Sequence, residues 1–187
     1  MSATPSNMMP IGTIAPDFTL PDTISGADKS LTALRGTKGT VVMFICNHCP
    51  YVIHIKDQLI DIANYYATLG INTVAISAND VENYPQDAPA KMTELMNEWG
   101  NPFAGYLYDE SQTVAKDYQA ACTPDIYLFD DNLACVYRGR LDGATPKNEI
   151  ALDGKDLREA LDNLLNNRPQ NEEQIPSIGC NIKWKTA

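Results

Sequence analysis

The apolar positions of this chain change period several times, and each change marks an element. Residues 40–46 (TVVMFIC) are a continuous apolar run rich in β-branched side chains, the pattern of a strand buried on both faces. Directly after it, Val52, Ile55, Leu59, Ile62 and Tyr66 recur at helical spacing and predict an amphipathic helix that Gly70 stops. Ile71–Ser77 (INTVAIS) reads as a second buried strand. Met92, Leu95, Met96 and Trp99 share one face of a further helix, with Pro89 in its first turn and Asp87 as its expected cap. Ser111 opens a shorter helix carrying Val114 and Tyr118. Residues 126–129 and 134–137 are short strands around the turn Asp130-Asp131-Asn132. Leu157, Leu161, Leu164 and Leu165 stripe a last helix that ends before Pro169.

Upstream, Phe18-Thr19-Leu20 and residues 31–34 flank the turn-rich segment 21–29 and predict an N-terminal β-hairpin. The order β-α-β-α-α-β-β-α predicts an α/β domain whose central strands include parallel neighbours. Residues 1–10 are small, polar and proline-containing, and are expected to be a flexible, frayed start. The domain then runs over 11–168. Residues 169–187 form a polar tail that regains order-favouring residues at Ile178, Cys180, Ile182 and Trp184, and is expected to pack back on the domain.

At 187 residues the chain fits one domain with a full core. Its formal charge of −10 opposes nucleic acid or anionic membrane as a partner, because like charges repel. The start MSATPSNMMPIGTIAPDF lacks the basic and apolar regions of a secretory signal. No apolar run approaches the roughly 20 residues that span a bilayer. The expectation is a cytoplasmic protein with no membrane partner. Five cysteines, at 46, 49, 122, 135 and 180, are too scattered for a disulfide scaffold. In a reducing compartment a close pair is catalytic or metal-binding more often than structural.

That pair stands in Cys46-Asn47-His48-Cys49-Pro50, where the buried strand gives way to a helix. A sulfur at a helix N-terminus faces unpaired N–H groups and the positive end of the dipole, both of which favour thiolate. The turn returns Cys49 to within disulfide reach of Cys46. In this reading Cys46 is the outer, attacking sulfur and Cys49 the resolving one. His48 adds further stabilisation of thiolate, which makes the disulfide more oxidising. Two other readings stand beside it: a pair of buried structural cysteines, and a zinc site closed by Cys46, His48, Cys49 and a distant Cys122 or Cys180. Zinc usually takes four ligands, and the chain has no second CxxC or HxxxH.

The segments CNHCP and Cys122-Thr123-Pro124-Asp125, with the α/β order between them, resemble the thioredoxin-like superfamily. APDFTL, ISANDVENYP and SIGCNIKW extend the resemblance to the redoxins of the alkyl hydroperoxide reductase and thiol-specific antioxidant type, in the peroxiredoxin-like branch often labelled thiol-disulfide isomerase. The likeness runs from about Ile11 to Trp184. It implies a thioredoxin-like α/β fold: a central mixed sheet flanked by helices, with the N-terminal hairpin and a C-terminal extension. It also implies that Pro124 is a cis-proline packed against the dithiol, and that the Thr123 backbone offers strand-like hydrogen bonds to a substrate.

The peroxiredoxin signature P-x-x-x-[ST]-x-x-C does not fit. With its cysteine on Cys49, Val42 replaces the proline and Cys46 the hydroxyl, and its arginine falls on Pro124. The buried aspartate of thioredoxins is replaced by Thr40, leaving Asp125 and His54 as candidate bases only if they face the site. His54 is otherwise a surface residue, and Cys122 and Cys135 are core fillers. Cys180 is either a third redox partner or a packing residue under Trp184. Arg138 and Arg140 pair on the surface or attract an acidic partner. The sequence therefore points to thiol–disulfide exchange between Cys46–Cys49 and protein or small-molecule disulfides, regenerated by a cellular thiol reductant and needing no cofactor or metal. The alternatives are a thiol-dependent peroxidase acting as an antioxidant, and a non-catalytic metal- or partner-binding redoxin module.

Overall fold

The computed structural model describes residues 3–186. Its centre is β4 (Gly39–Phe44), all six residues of which are buried. Strand β5 (Ile71–Ser77) pairs with it in parallel, and β8 (Asp125–Asp130) antiparallel on the other side. The strands β6 (Gly105–Tyr108) and β9 (Cys135–Gly139) complete a mixed sheet in the order β6-β5-β4-β8-β9. The period of two along β4 divides the core. Val41 and Met43 enter the cluster under α2 (Pro50–Ala67), α3 (Pro89–Trp99) and α5 (Lys155–Leu165). Val42 and Phe44 enter the opposite cluster, with Met9, Phe18, Leu20 and residues of α1 (Leu31–Leu34) and α4 (Thr113–Asp117).

The predicted stripe of α2 is its buried face: Val52, Ile55, Leu59, Ile62 and Tyr66 are all covered. Each Leu or Ile so buried contributes about 1.5–3 kcal/mol. Gly70 follows with a left-handed φ of 92°, beside Thr37 and Lys38, where a Cβ would have no room.

Three expectations change. The hairpin is β2 (Thr19–Pro21) with β3 (Asp28–Ser30), and residues 31–34 are a turn of helix instead of its second strand. The reason is local: Ser30 Oγ accepts from the Ala33 amide at 3.2 Å and caps that turn. Asp87 does not cap α3, whose cap position is Ala88 without a side-chain bond. The chain start is not frayed where it is described. Strand β1 (Ala3–Pro5) pairs with β10 (Ile178–Asn181), and Ser6 Oγ donates to Asp125 at 2.6 Å. Met1 and Ser2 lie outside the described residues. Strand β10 in turn pairs with β7 (Cys122–Thr123), so the tail is the middle strand of a second, three-stranded sheet.

Candidate active site

Beyond Phe44 the chain leaves β4 and turns into α2, whose first residue is Pro50. Cys49 is therefore the residue at the helix mouth, with extended backbone (φ −71°, ψ 118°), while Cys46 lies three residues earlier. The expected exposed outer sulfur is also absent. Cys46 is 1% exposed and Cys49 0%, beneath the half-buried Asn47 and His48.

Thr123 touches both sulfurs. The Cys49 thiol donates to the Thr123 carbonyl at 3.0 Å, and Thr123 Oγ1 lies 3.5 Å from Cys46 Sγ. The peptide bond between Thr123 and Pro124 is cis. The backbone edge that the resemblance assigned to a substrate is not free, because Thr123 stands opposite Cys180 in the β7–β10 pair.

The two sulfurs bias each other's ionisation in opposite directions. With Cys46 donating to it, Cys49 is pulled down to about 5 against its burial, helped by the Thr123 side chain and the Val52 and Cys180 amides. Cys46 is pushed far above the ordinary thiol range by the same bond, by burial and by the charge of Asp87. The pair therefore loses one proton easily and a second hardly at all, and the two steps belong to the pair. The favourable helix end acts on Cys49, where the sequence reading had placed thiolate character on Cys46.

His48 is held by a residue that sequence reasoning missed as part of the site. The Asp87 carboxylate is fully buried and lies 2.7 Å from His48 Nδ1. It also accepts from the amides of Asn47 (2.8 Å) and His48 (3.3 Å) and from Asn79 Nδ2 (2.8 Å). Nδ1, the nitrogen that faces Asp87, is 3.9 Å from Cys46 Sγ. The imidazole stacks on Tyr84 at 5.7 Å and 8°, and Asn47 Oδ1 accepts from the Tyr106 hydroxyl at 3.0 Å. A carboxylate against the imidazole offsets the positive charge that a protonated His48 would present to Cys46.

Cys46, His48 and Asp87 place one ligand atom each within 4.8 Å of one another. Two ligands of one tetrahedral zinc, each about 2.0–2.1 Å from the ion, stand about 3.3 Å apart. The 2.7 Å between Nδ1 and the carboxylate is instead a hydrogen-bond distance. As arranged, Nδ1 is engaged by the Asp87 carboxylate, and Cys46 Sγ lies more loosely against the same nitrogen.

The remaining candidates are engaged elsewhere in the fold. Asp125 binds Ser6, the Ala121 amide (3.0 Å) and Arg138 (3.5 Å), and its pKa is raised by burial. Arg138 is fully buried, not on the surface, and lies over the Tyr127 ring at 4.7 Å. Arg140 pairs with Asp156 at 2.6 Å. Thr40 Oγ1 accepts from the Gly36 amide at 3.1 Å, so the position of the thioredoxin aspartate has a turn-bracing role. His54 is half-buried and makes no hydrogen bond to either sulfur among the described residues. Cys122 and Cys135 are buried with raised pKa values, Cys135 at about 11.

Beside Pro124 and Tyr51 opens a groove of about 300 Å³ with an apolar wall of Ile55, Leu141, Ile150 and Ile178. The AhpC/TSA family matches residues 11–138, more than half of the sequence. The chain belongs to that family. No curated protein matches it. An uncharacterized conserved protein from Geobacillus kaustophilus is 51% identical, with a TM-score of 0.97 over 100% of this chain and 98% of that one. A hypothetical protein from Sinorhizobium meliloti 1021 is 41% identical, with a TM-score of 0.94 over 98% and 100%. A thiol:disulfide interchange protein from Bacteroides sp. is 19% identical, with a TM-score of 0.64 over 84% and 91%, which is a likeness of fold. Among AhpC/TSA-type redoxins, the thioredoxin-like fold is shared by peroxiredoxin-like and thiol-disulfide interchange neighbours.

Proposed function

We propose that this redoxin is a thiol–disulfide oxidoreductase working through Cys46 and Cys49. The observation that carries the reading is geometric: two free sulfurs at a strand-to-helix junction, both in contact with Thr123. Cys46 is the nucleophile, because it adjoins the half-buried Asn47 and His48 while Cys49 is enclosed by Thr123 and β10. In the singly ionised pair the proton crosses to Cys49, where the Thr123 carbonyl accepts it, and Cys46 becomes the thiolate. Cys46 Sγ then attacks one sulfur of the substrate disulfide, and the other leaves as a thiolate. Cys49, giving up its proton to that leaving group, attacks Cys46 Sγ. The mixed disulfide breaks, the 46–49 disulfide forms, and the substrate is released with two electrons gained. A thiol reductant reverses these steps on the protein. The apolar groove beside Pro124 is the place for the body of the substrate.

The test is turnover of a small aromatic disulfide with dithiothreitol as reductant. Loss of turnover in both Cys46→Ser and Cys49→Ser, with a mixed disulfide trapped on Cys46 in the second, supports the reading. Trapping on Cys49 in Cys46→Ser, with none on Cys46, overturns the order of attack.

One observation favours a second reading, peroxide reduction. The sulfur pulled down in pKa is Cys49, the position that aligns with the reactive cysteine of the peroxiredoxin signature. In that reaction Cys49 takes one peroxide oxygen as a sulfenic acid, and Cys46 displaces it as water to form the same disulfide. Hydrogen peroxide consumption that persists in Cys46→Ser as a single turnover and vanishes in Cys49→Ser separates it from the first.

A further inference from the structure

Cys49 has a reactive neighbour on either side. One is Cys46. The other is Cys180, the Cα partner of Thr123 in the β7–β10 pair. Thr123 is the residue whose carbonyl lies 3.0 Å from Cys49 Sγ. Cys180 is thereby a neighbour of Cys49 through Thr123, which faces both. All three cysteines are free and buried in one core cluster, Cys180 at 2% exposure.

The register that presents Cys180 is fixed on both edges of β10. Ala3 stands opposite Cys180 on the outer side. On the inner side Gly179 lies so close to β7 that a Cβ would meet the Thr123 carbonyl oxygen at 2.0 Å. Only glycine lets the tail approach Thr123 this closely, and the next side chain is then delivered to Cys49. A cysteine held in register opposite Thr123 is placed to meet a sulfur that rests on the Thr123 carbonyl.

We infer that Cys180 is a second exchange partner for Cys49, so that the oxidised protein has two disulfide isomers, 46–49 and 49–180. This rests on the dithiol reading above. In the 46–49 form the Cys180 thiolate attacks Cys49 Sγ. The 46–49 bond breaks, the 49–180 bond forms, and Cys46 leaves as a thiolate that takes up the proton Cys180 released. The exchange is internal, and the protein keeps the same two oxidising equivalents throughout. The second isomer has two properties the first lacks: Cys46 is a free thiol beside His48 and Thr123, and β10 is covalently tied to the start of α2. A redoxin in that state can form a new mixed disulfide at Cys46 while still holding the first oxidation.

The experiment uses the full chain carrying Cys46→Ser, treated with diamide, with thiols counted and linked peptides mapped by mass spectrometry. Of the five cysteines this variant keeps four. The expected result is a fall to two free thiols with a 49–180 link, while Cys46→Ser with Cys180→Ala keeps all three of its thiols. Four thiols surviving in Cys46→Ser, or Cys49 linked to Cys122 instead, overturns the inference. Wild type treated alongside separates the two levels of argument. A 46–49 link there, with Cys180 unlinked in the variant, sinks only the role of Cys180; no 46–49 link in wild type sinks the dithiol reading itself.

Discussion

The Asp87 carboxylate lies 2.7 Å from His48 Nδ1, on the same nitrogen that stands 3.9 Å from Cys46 Sγ. A buried negative charge is thus placed one group away from a sulfur that has to become negative. Its cost to the thiolate is partly offset by the imidazole between them. In the proposed exchange, the expected consequence is a dithiol less oxidising than an unopposed histidine would make it.

Asp87→Asn removes that charge and keeps the shape. The ionisation of the sulfur pair, followed as thiolate absorbance at 240 nm, is expected to move down in pH, because Asp87 is one of the groups raising Cys46. The variant also loses about 1–3 kcal/mol of stability, since an amide cannot accept from Asn47, His48 and Asn79 as the carboxylate does. An unchanged or raised titration midpoint would show that Asp87 acts on the sulfurs only by positioning His48.

The opposed shifts of the two sulfurs give the reduced protein a distinctive pH dependence. Cys49 ionises near 5 in the folded chain against an ordinary value of 9.0, so its stabilising contribution is fully present above about 9 and is lost as pH falls through about 5. Cys46 is raised, so its contribution is present below 9.0 and is lost at higher pH. The melting temperature of the reduced form should therefore rise relative to the disulfide form from pH 5 to about 9, then turn over. Parallel curves for the two forms across that window would contradict the coupling.

Gly179→Ala tests the seal over the site. Its Cβ cannot sit 2.0 Å from the Thr123 oxygen, so β10 must shift, at a cost of about 1–3 kcal/mol. Iodoacetamide should then modify Cys46 faster than in wild type while the melt remains cooperative. Equal rates would mean that the tail does not limit access to the sulfurs.

Arg138→Met leaves Asp125 buried without its cation and should cost about 3–5 kcal/mol in urea unfolding at pH 7. Ser6→Ala removes a single bond to the same carboxylate and should cost about 1 kcal/mol. A loss below 1 kcal/mol in Arg138→Met would show that the ion pair between β9 and β8 contributes little to the fold.

Much of this architecture is legible in the order of residues. The stripe of α2 and the buried runs of β4 and β5 are periodic signals, and the structure uses them as the period dictates. The cysteine pair is legible because it falls where one period replaces another. What surrounds the pair is not. Asp87 reaches His48 across 39 residues through a short turn, and one carboxylate leaves no repeat in a sequence. Next to Pro89 it reads as a helix cap, and its buried role is invisible until the chain folds. The two-residue β7 is too short for any alternation, so the pairing that hides Thr123 could not be anticipated, and neither could the depth of Cys46.

The strand that roofs the sulfurs, β10, is synthesised after every other element of the fold. While the chain is still leaving the ribosome, the helix mouth at Cys49 can already be built, but nothing yet lies over Thr123. For that interval the nascent protein exposes a bare dithiol. A chain caught before β10 docks is therefore at its most vulnerable to stray cross-linking, and anything that delays that docking prolongs the risk.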